Sequence, residues 1–195
     1  MVRTIDDLKI LMHQFHDLPE EDWEALSKIW TPFEAGRKEI ITGMGTKEKY
    51  LYFVTEGVQR VYYYDEHGHE ATIIFMYSPS FAGVLDSFLL QKPSKYYFET
   101  LTPSKFLRTS FQDLDELMRS RHNIETMIRK GLSGTISGLL ERLVELQCFS
   151  SEEKFSSLLK RSPHLLQLIP HKYLANYLGI DPTNFSKLMN SIKIK

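Results

Sequence analysis

The sequence predicts a mixed α+β chain: an antiparallel roll of short strands, then one long helix, then a small all-helical end. Three patterns predict it. Between Lys38 and Phe106, runs of five to eight residues rich in β-branched and aromatic side chains are set off by turn residues, the texture of an antiparallel sandwich or roll. Leu132, Ile136, Leu139, Leu143 and Leu146 then step by 4, 3, 4 and 3, the spacing of a coiled-coil seam. Last, Leu174, Ala175, Leu178, Gly179, Ile180, Phe185 and Leu188 are spaced as in two crossed helices joined by a tight turn.

The 195 residues leave room for one or two domains. With 42% apolar and 25% charged residues, the composition excludes a disordered or purely coiled-coil chain. A single cysteine, Cys148, excludes an intrachain disulfide framework, a cysteine-based zinc finger and a cysteine-ligated iron–sulfur cluster. No apolar run reaches the ~18 residues of a membrane span, and the opening MVRTIDDLKI has no signal-peptide core. A cytoplasmic chain with no membrane partner is expected. The net charge of −1 hides an asymmetry: from Lys154 onward there are seven bases and one acid, Asp181, against 17 bases and 24 acids before it. A basic end on an acidic body suits a polyanionic partner at that end.

The opening stretch reads as helical. Pro19 suits a first helical position, Glu20, Glu21 and Asp22 suit the positive helix end, and Trp23, Leu26, Ile29 and Trp30 recur at helical spacing. Strands are expected at KEIIT, YLYFVTEG, VQRVYYYD, EATIIFMY, KYYFETLT and KFLRTS, with DEHGHE as a hairpin turn and Gly68 at its tip. Residues 78–97 are too many for a hairpin turn, so a short helix or loop is expected within them. FQDLDELMRSR is one short helix, and Asn123 is expected to cap the long one, which runs to about Leu146. Gly131, Gly134 and Gly138 are tolerated best in mid-helix where another backbone comes close. With the leucine stripe they point to pairing of two copies through Ile128, Leu132, Thr135, Ile136, Leu139, Leu143 and Leu146, the alternative being a stripe packed on the strands. Ser150 and Glu153 form a capping box for a further helix that ends before Ser162–Pro163.

The C-terminal spacing is that of a helix-turn-helix. Ala175 is small because the second helix crosses over it, and Gly179 supplies the left-handed residue that ends the first helix. Asp181 caps the second helix and Pro182 takes its first position. Phe185 and Leu188 turn inward, leaving Thr183, Asn184, Lys187 and Asn190 outside. The second helix of such a unit lies in the DNA major groove with its N-terminal residues at base edges. Pro182, Thr183, Asn184 and Lys187 occupy those places, Lys187 suited to guanine and Asn184 to adenine. His171, Lys172 and Ser186 suit phosphates. The competing reading is an ordinary helical hairpin that touches no DNA.

These parts, in this order, resemble the Crp/Fnr family of bacterial transcription regulators. The resemblance is carried by YLYFVTEGVQRVYYYDEHGHEATIIFMY (Tyr50 to Tyr77), by the loop after Phe81, and most specifically by SPHLLQLIPHKYLANYLGIDPTNFSKL (Ser162 to Leu188). The I-P-x-K-Y-x-A-x-Y-L-G-I run in the last is similar to a short branch of the family, and the few residues from Ser191 to Lys195 leave most of the wing missing. The resemblance implies a cyclic-nucleotide-binding-like β-roll, a double-stranded β-helix, with flanking helices over residues 1–122. It implies a dimerisation helix over 123–148 and a helix-turn-helix domain over 149–195. It further implies a homodimer, double-stranded DNA and RNA polymerase as partners, and an effector that reorients the DNA-binding domains. Nucleotide-binding members carry F-G-E-L…R-[ST]-A in the inserted loop, the Glu on the ribose hydroxyl and the Arg on the cyclic phosphate. Here the loop is FAGVLDSFLLQKPSKYYF: Gly83 matches the glycine, Val84 stands for the Glu and Ser94 for the Arg, with Lys95 one place later. A buried phosphate without its bidentate partner is costly, so cyclic AMP is not the expected effector. An unidentified, more apolar small molecule is expected around Phe81, Gly83, Val84, Leu85, Ser94, Lys95, Tyr96 and Phe98, or else a pocket filled by its own side chains.

No catalytic constellation is visible, and the acid pairs Asp6–Asp7, Glu20–Glu21 and Glu152–Glu153 begin helices, where acids belong for dipole reasons. The chain is not expected to be an enzyme. The pairs His67/His69 and His13/His16 lack an evident third ligand, so no metal is expected, and Cys148 reads as a packed residue. The second functional reading is a sensor or protein-interaction module of the same fold that no longer reads DNA, favoured by Pro182 at the first reading position and by the short wing.

Overall fold

A computed structural model of the chain describes residues 5–191. Two helices, α1 (Ile5–His13) and α2 (Glu20–Ser27), precede the strands β1 (Thr31–Ala35), β2 (Ile40–Thr42), β3 (Tyr50–Glu56), β4 (Val58–Tyr64), β5 (Glu70–Tyr77) and β6 (Ser80–Ala82). The short α3 (Leu85–Leu90) lies within the long insertion, before β7 (Tyr97–Thr100) and β8 (Ser104–Ser110). The rest is helical: α4 (Phe111–Ser120), α5 (His122–Cys148), α6 (Ser151–Arg161), α7 (Leu165–Leu168), α8 (His171–Leu178) and α9 (Pro182–Ser191).

The strands form two four-stranded sheets, β1-β8-β3-β6 and β2-β7-β4-β5, with every pairing antiparallel. Between them lie Tyr52, Val54, Val61, Met76, Phe98 and Phe106, with the Tyr52 ring 5.4 Å from those of both Phe98 and Phe106. Leu51 and Phe53, on the other side of β3, pack against Leu8, Met12, Leu26, Leu114, Ile124 and Met127 of the helices. Strand β3 is therefore buried on both faces, which is why YLYFV reads as an unbroken apolar run instead of an alternation. Strands β1 and β6 escape the sequence reading. TPFEA contains a proline, which breaks a central strand but is tolerated in β1 because β1 is a sheet edge.

Side-chain caps fix the starts of α4 and α6. Ser110 accepts a hydrogen bond from the Asp113 amide at the start of α4, and Ser150 and Glu153 close the expected capping box on α6. Two expectations are corrected. Pro19 is the cap of α2 instead of its first residue. Asn123 does not cap α5, which begins at His122 after Arg121. The buried Asp22 carboxylate takes its side chain instead: Asn123 donates to it at 2.8 Å and Arg121 at 2.6 Å, tying α5 to α2. Cys148 is exposed at the end of α5 instead of packed.

Helices α6 to α9 share one core, built on Phe155, Leu158, Leu174, Ala175, Leu178 and Phe185, and Val58, Phe75 and Leu101 of the roll belong to the same cluster. The helical end is thus packed on the roll. The residues after Ser191, where the shortened wing was expected, lie outside the described residues. Among the described residues no helix is long and apolar enough to cross a membrane, and no cluster of three or more His, Cys, Asp or Glu could hold a metal ion.

Candidate DNA interface and effector groove

The crossed pair α8 and α9 forms for the reasons its spacing gives. Gly179 ends α8 at φ +62, a left-handed conformation that side chains disfavour. Asp181 Oδ1 accepts from the amides of Thr183 (2.8 Å) and Asn184 (3.3 Å), capping α9, with Pro182 as its first residue. Ala175, Leu174, Leu178, Phe185 and Leu188 are buried beneath, and the Phe185 ring stands edge-on to Phe155 at 5.3 Å. Pro182, Thr183, Asn184, Ser186, Lys187 and Asn190 are all exposed, as are His171 and Lys172 at the start of α8. The Ser186 hydroxyl turns back onto the Pro182 carbonyl at 3.0 Å, and Lys172 lies over the Tyr173 ring at 4.7 Å.

The structure adds a contact that the sequence reading missed: α8 is latched to the roll. Asn176 donates to the Glu70 carbonyl at 2.6 Å and accepts from the Thr72 amide at 2.6 Å, so its amide pairs with β5 as a neighbouring strand would. Beside it the Tyr173 ring lies 4.0 Å from the guanidinium of Arg60, which is only 2% exposed. Arg60 donates to Glu99 (3.0 Å), Glu70 (2.7 Å) and Thr72 (3.2 Å). Burial alone would lower its pKa, but the hydrogen bonds and charges of Glu70 and Glu99 outweigh that and raise it. Lys38 donates to the Tyr173 hydroxyl at 2.9 Å. Burial works to raise the Tyr173 pKa, and this bond with the nearby positive charges pulls it below the usual tyrosine range. From the other side, Arg142 of α5 donates to the Tyr177 carbonyl. A charged residue, Arg60, inside the strand-like VQRVYYY run was the one sequence signal for this cluster.

Around the inserted loop, Phe81, Gly83, Val84, Leu85 and Tyr96 line one groove of about 550 Å³, together with Phe15, Ile73, Ile74, Ser80, Asp86, Thr135 and Leu139. Three of the expected pocket residues do not join it. Ser94 is buried and closes its own turn, its hydroxyl donating to the Tyr96 carbonyl and accepting from the Tyr96 amide. With Lys95 it borders a separate open groove beside Tyr63 and Tyr64. Phe98 is fully buried between the sheets.

Below the loop a carboxylate from elsewhere fills the polar position. Glu48, 1% exposed, accepts from the Thr42 hydroxyl (2.7 Å), the Tyr50 amide (3.3 Å) and the Val84 amide (3.3 Å). Burial pushes its pKa up, and those hydrogen bonds offset only part of the rise. Gly83 has φ +115, and a Cβ there would come within 3.3 Å of the Tyr50 carbonyl, so the loop can pass over Glu48 only as glycine. The groove itself is lined by Asp86 and by no lysine or arginine.

Of the residues expected to pair two copies, Ile128 and Leu132 are half-buried against their own chain, while Thr135, Ile136, Leu139, Leu143 and Leu146 are exposed. Leu140 and Val144 widen the exposed apolar strip; Leu140 is 59% and Ile136 58% accessible.

Residues 32–121 match the family of cyclic nucleotide-binding domains. No curated protein sequence matches the chain. Among solved structures, FixK2 from Bradyrhizobium japonicum is similar, with TM-score 0.73 and 14% identity over 83% of each chain. The c-di-GMP-responsive global regulator CLP from Xanthomonas campestris gives 0.65 and 15% over 88% of this chain and 90% of its own. A chain from Eubacterium rectale described as a transcriptional regulator of the Crp/Fnr family gives 0.69 and 14% over 90% of this chain and 84% of its own. At such identities the likeness speaks for the fold. Residues 32–121 are thus similar to a cyclic nucleotide-binding domain, and the chain has the fold seen in a Crp/Fnr-family regulator.

Proposed function

We propose that the chain is a homodimeric, sequence-specific DNA-binding transcription regulator whose effector is not cyclic AMP. One observation carries the reading: a complete helix-turn-helix whose outer side, Thr183, Asn184, Lys187 and Asn190, is exposed while Phe185 and Leu188 anchor it from below. Two such helices about 34 Å apart would read successive major grooves of a two-fold operator. The exposed apolar strip of α5 supplies the pairing surface. A ligand that prefers the DNA-competent geometry would raise its occupancy, with RNA polymerase as the further partner in the cytoplasm. Against cyclic AMP stand the absence of lysine and arginine from the groove lining and the Val84 amide already taken by Glu48. CLP, which answers to c-di-GMP, illustrates that this fold serves other effectors. The rival reading, a module that no longer touches DNA, has against it that the roll holds α8 and leaves the outer side of α9 open.

The test is titration of the full chain with mixed genomic fragments at several salt concentrations. Each neutralised phosphate adds about −0.9 to the slope of log K against log salt. A flat response would remove the DNA reading. In parallel, cyclic AMP is expected to leave the melting temperature unchanged, since only a ligand bound to the folded state raises it; a clear rise would restore the nucleotide to the groove.

A further inference from the structure

The groove beside Val84 has an inner chamber. A second cavity, of about 80 Å³, lies beneath α3 and against α5, walled by residues such as Met12, Phe88, Met127 and Leu132. Phe15, Phe81, Leu85 and Thr135 border both spaces, so the chamber opens behind the Phe15–Phe81 pair, whose ring centroids are 6.2 Å apart. Gly131 forms part of the wall; a Cβ there would already lie 3.5 Å from the Phe15 ring. Thr135 is the single polar residue of the chamber lining, and its hydroxyl is bonded to the Gly131 carbonyl at 3.1 Å. The lining offers water almost no hydrogen-bond partners, and the volume equals roughly three water-sized units at ~30 Å³ each. That is room for the end of an alkyl chain and not for a nucleobase with its sugar.

The outer groove supplies the polar contacts. Ser80 lines it, and its hydroxyl is buried with no hydrogen-bond partner among the described residues. Asp86 lines it too, and Glu48 lies behind Val84. An anionic head would meet carboxylates with no cation to offset them. The geometry points to a site for a medium-length aliphatic molecule with an uncharged hydrogen-bonding head, its tail in the chamber past Phe15 and Phe81 and its head at Ser80 and Asp86. This rests on reading the groove as the effector site. Because Gly131, Leu132 and Thr135 belong to α5, the occupant touches the proposed pairing helix directly.

The experiment uses the full chain without DNA, loaded with the neutral fluorophore N-phenyl-1-naphthylamine and titrated with 1-decanol, decanoate or decyl phosphate. Decanol is expected to displace the fluorophore at a concentration roughly tenfold below either anion. Gly131→Leu, which fills the chamber, should raise the decanol midpoint by roughly tenfold, while Gly134→Ala, whose Cβ meets nothing within 4 Å, should leave it in place. If circular dichroism shows Gly131→Leu unfolded, Asp86→Asn at an exposed position replaces it and should narrow the decanol-to-decanoate ratio to about threefold. Absence of saturable displacement, anions that match decanol, or a midpoint and ratio indifferent to the substitutions would overturn the assignment. Failure to bind DNA would not touch these readouts, and their failure would leave operator binding standing.

Discussion

Asn176 acts as a strand residue from within a helix. Its amide answers one carbonyl and one amide of β5, at Glu70 and Thr72, which would otherwise face α8 unpaired. Asn176→Ala leaves both without a partner and is expected to lower stability by about 1–3 kcal/mol in urea unfolding, with faster hydrogen exchange at Thr72. Lys187→Ala, on the exposed side of α9, is expected to leave stability unchanged and to lower specific operator affinity by about 1–3 kcal/mol; unaltered binding would count against the assigned docking. Side chains whose role is local were legible in the sequence. Gly179, Asp181 and Phe185 announce themselves because a turn, a cap and an inward ring act on neighbours a few residues away. Asn176, Tyr173 and Arg60 were not, because Asn176 meets Glu70 from 106 positions away and Tyr173 meets Lys38 from 135. Glu48 escaped notice for the same reason: it reaches Val84 across 36 positions.

Among the elements, α5 carries two separable tasks. Its outer strip is predicted to hold two copies together, so Leu143→Asp, at a half-exposed apolar position, should convert the dimer to monomer in light scattering without lowering the helical signal. The 4-3-4-3 spacing revealed this strip, though Leu140 and Val144 broaden it beyond a narrow seam. Its C-terminal end is a junction. Glu145 accepts from Arg142 (3.2 Å), Ser157 (2.8 Å) and Arg161 (2.8 Å), binding α5 to α6. Burial works to raise the Glu145 pKa, but the bonds and charge of Arg161, with Ser157 and Arg142, outweigh it and leave the carboxyl below its ordinary value of 4.5. A lowered folded-state pKa contributes stability above the ordinary value and loses it as pH falls. Glu145→Gln should therefore unfold more easily than the parent at pH 7, by about 1–3 kcal/mol, with the gap closing as pH drops below about 4.5. The edge strands β1 and β6 stayed hidden because a Pro-containing and a three-residue strand give too little pattern to read.

For the molecule as a whole, the order of roll, long helix and crossed helices was legible because each has its own period. Their mutual placement was not, since it depends on the polar latch and on Phe75 and Val58 packing with the C-terminal helices. Strand β5 is the last of its sheet, and α8 lies along it. An uncovered strand margin with Phe75 and Tyr77 beside it is a template for joining a foreign strand. The helical end is thus also the sheath of the roll: cut off after α5, the roll would not survive as a tidy separate body but would bare an adhesive border and clump.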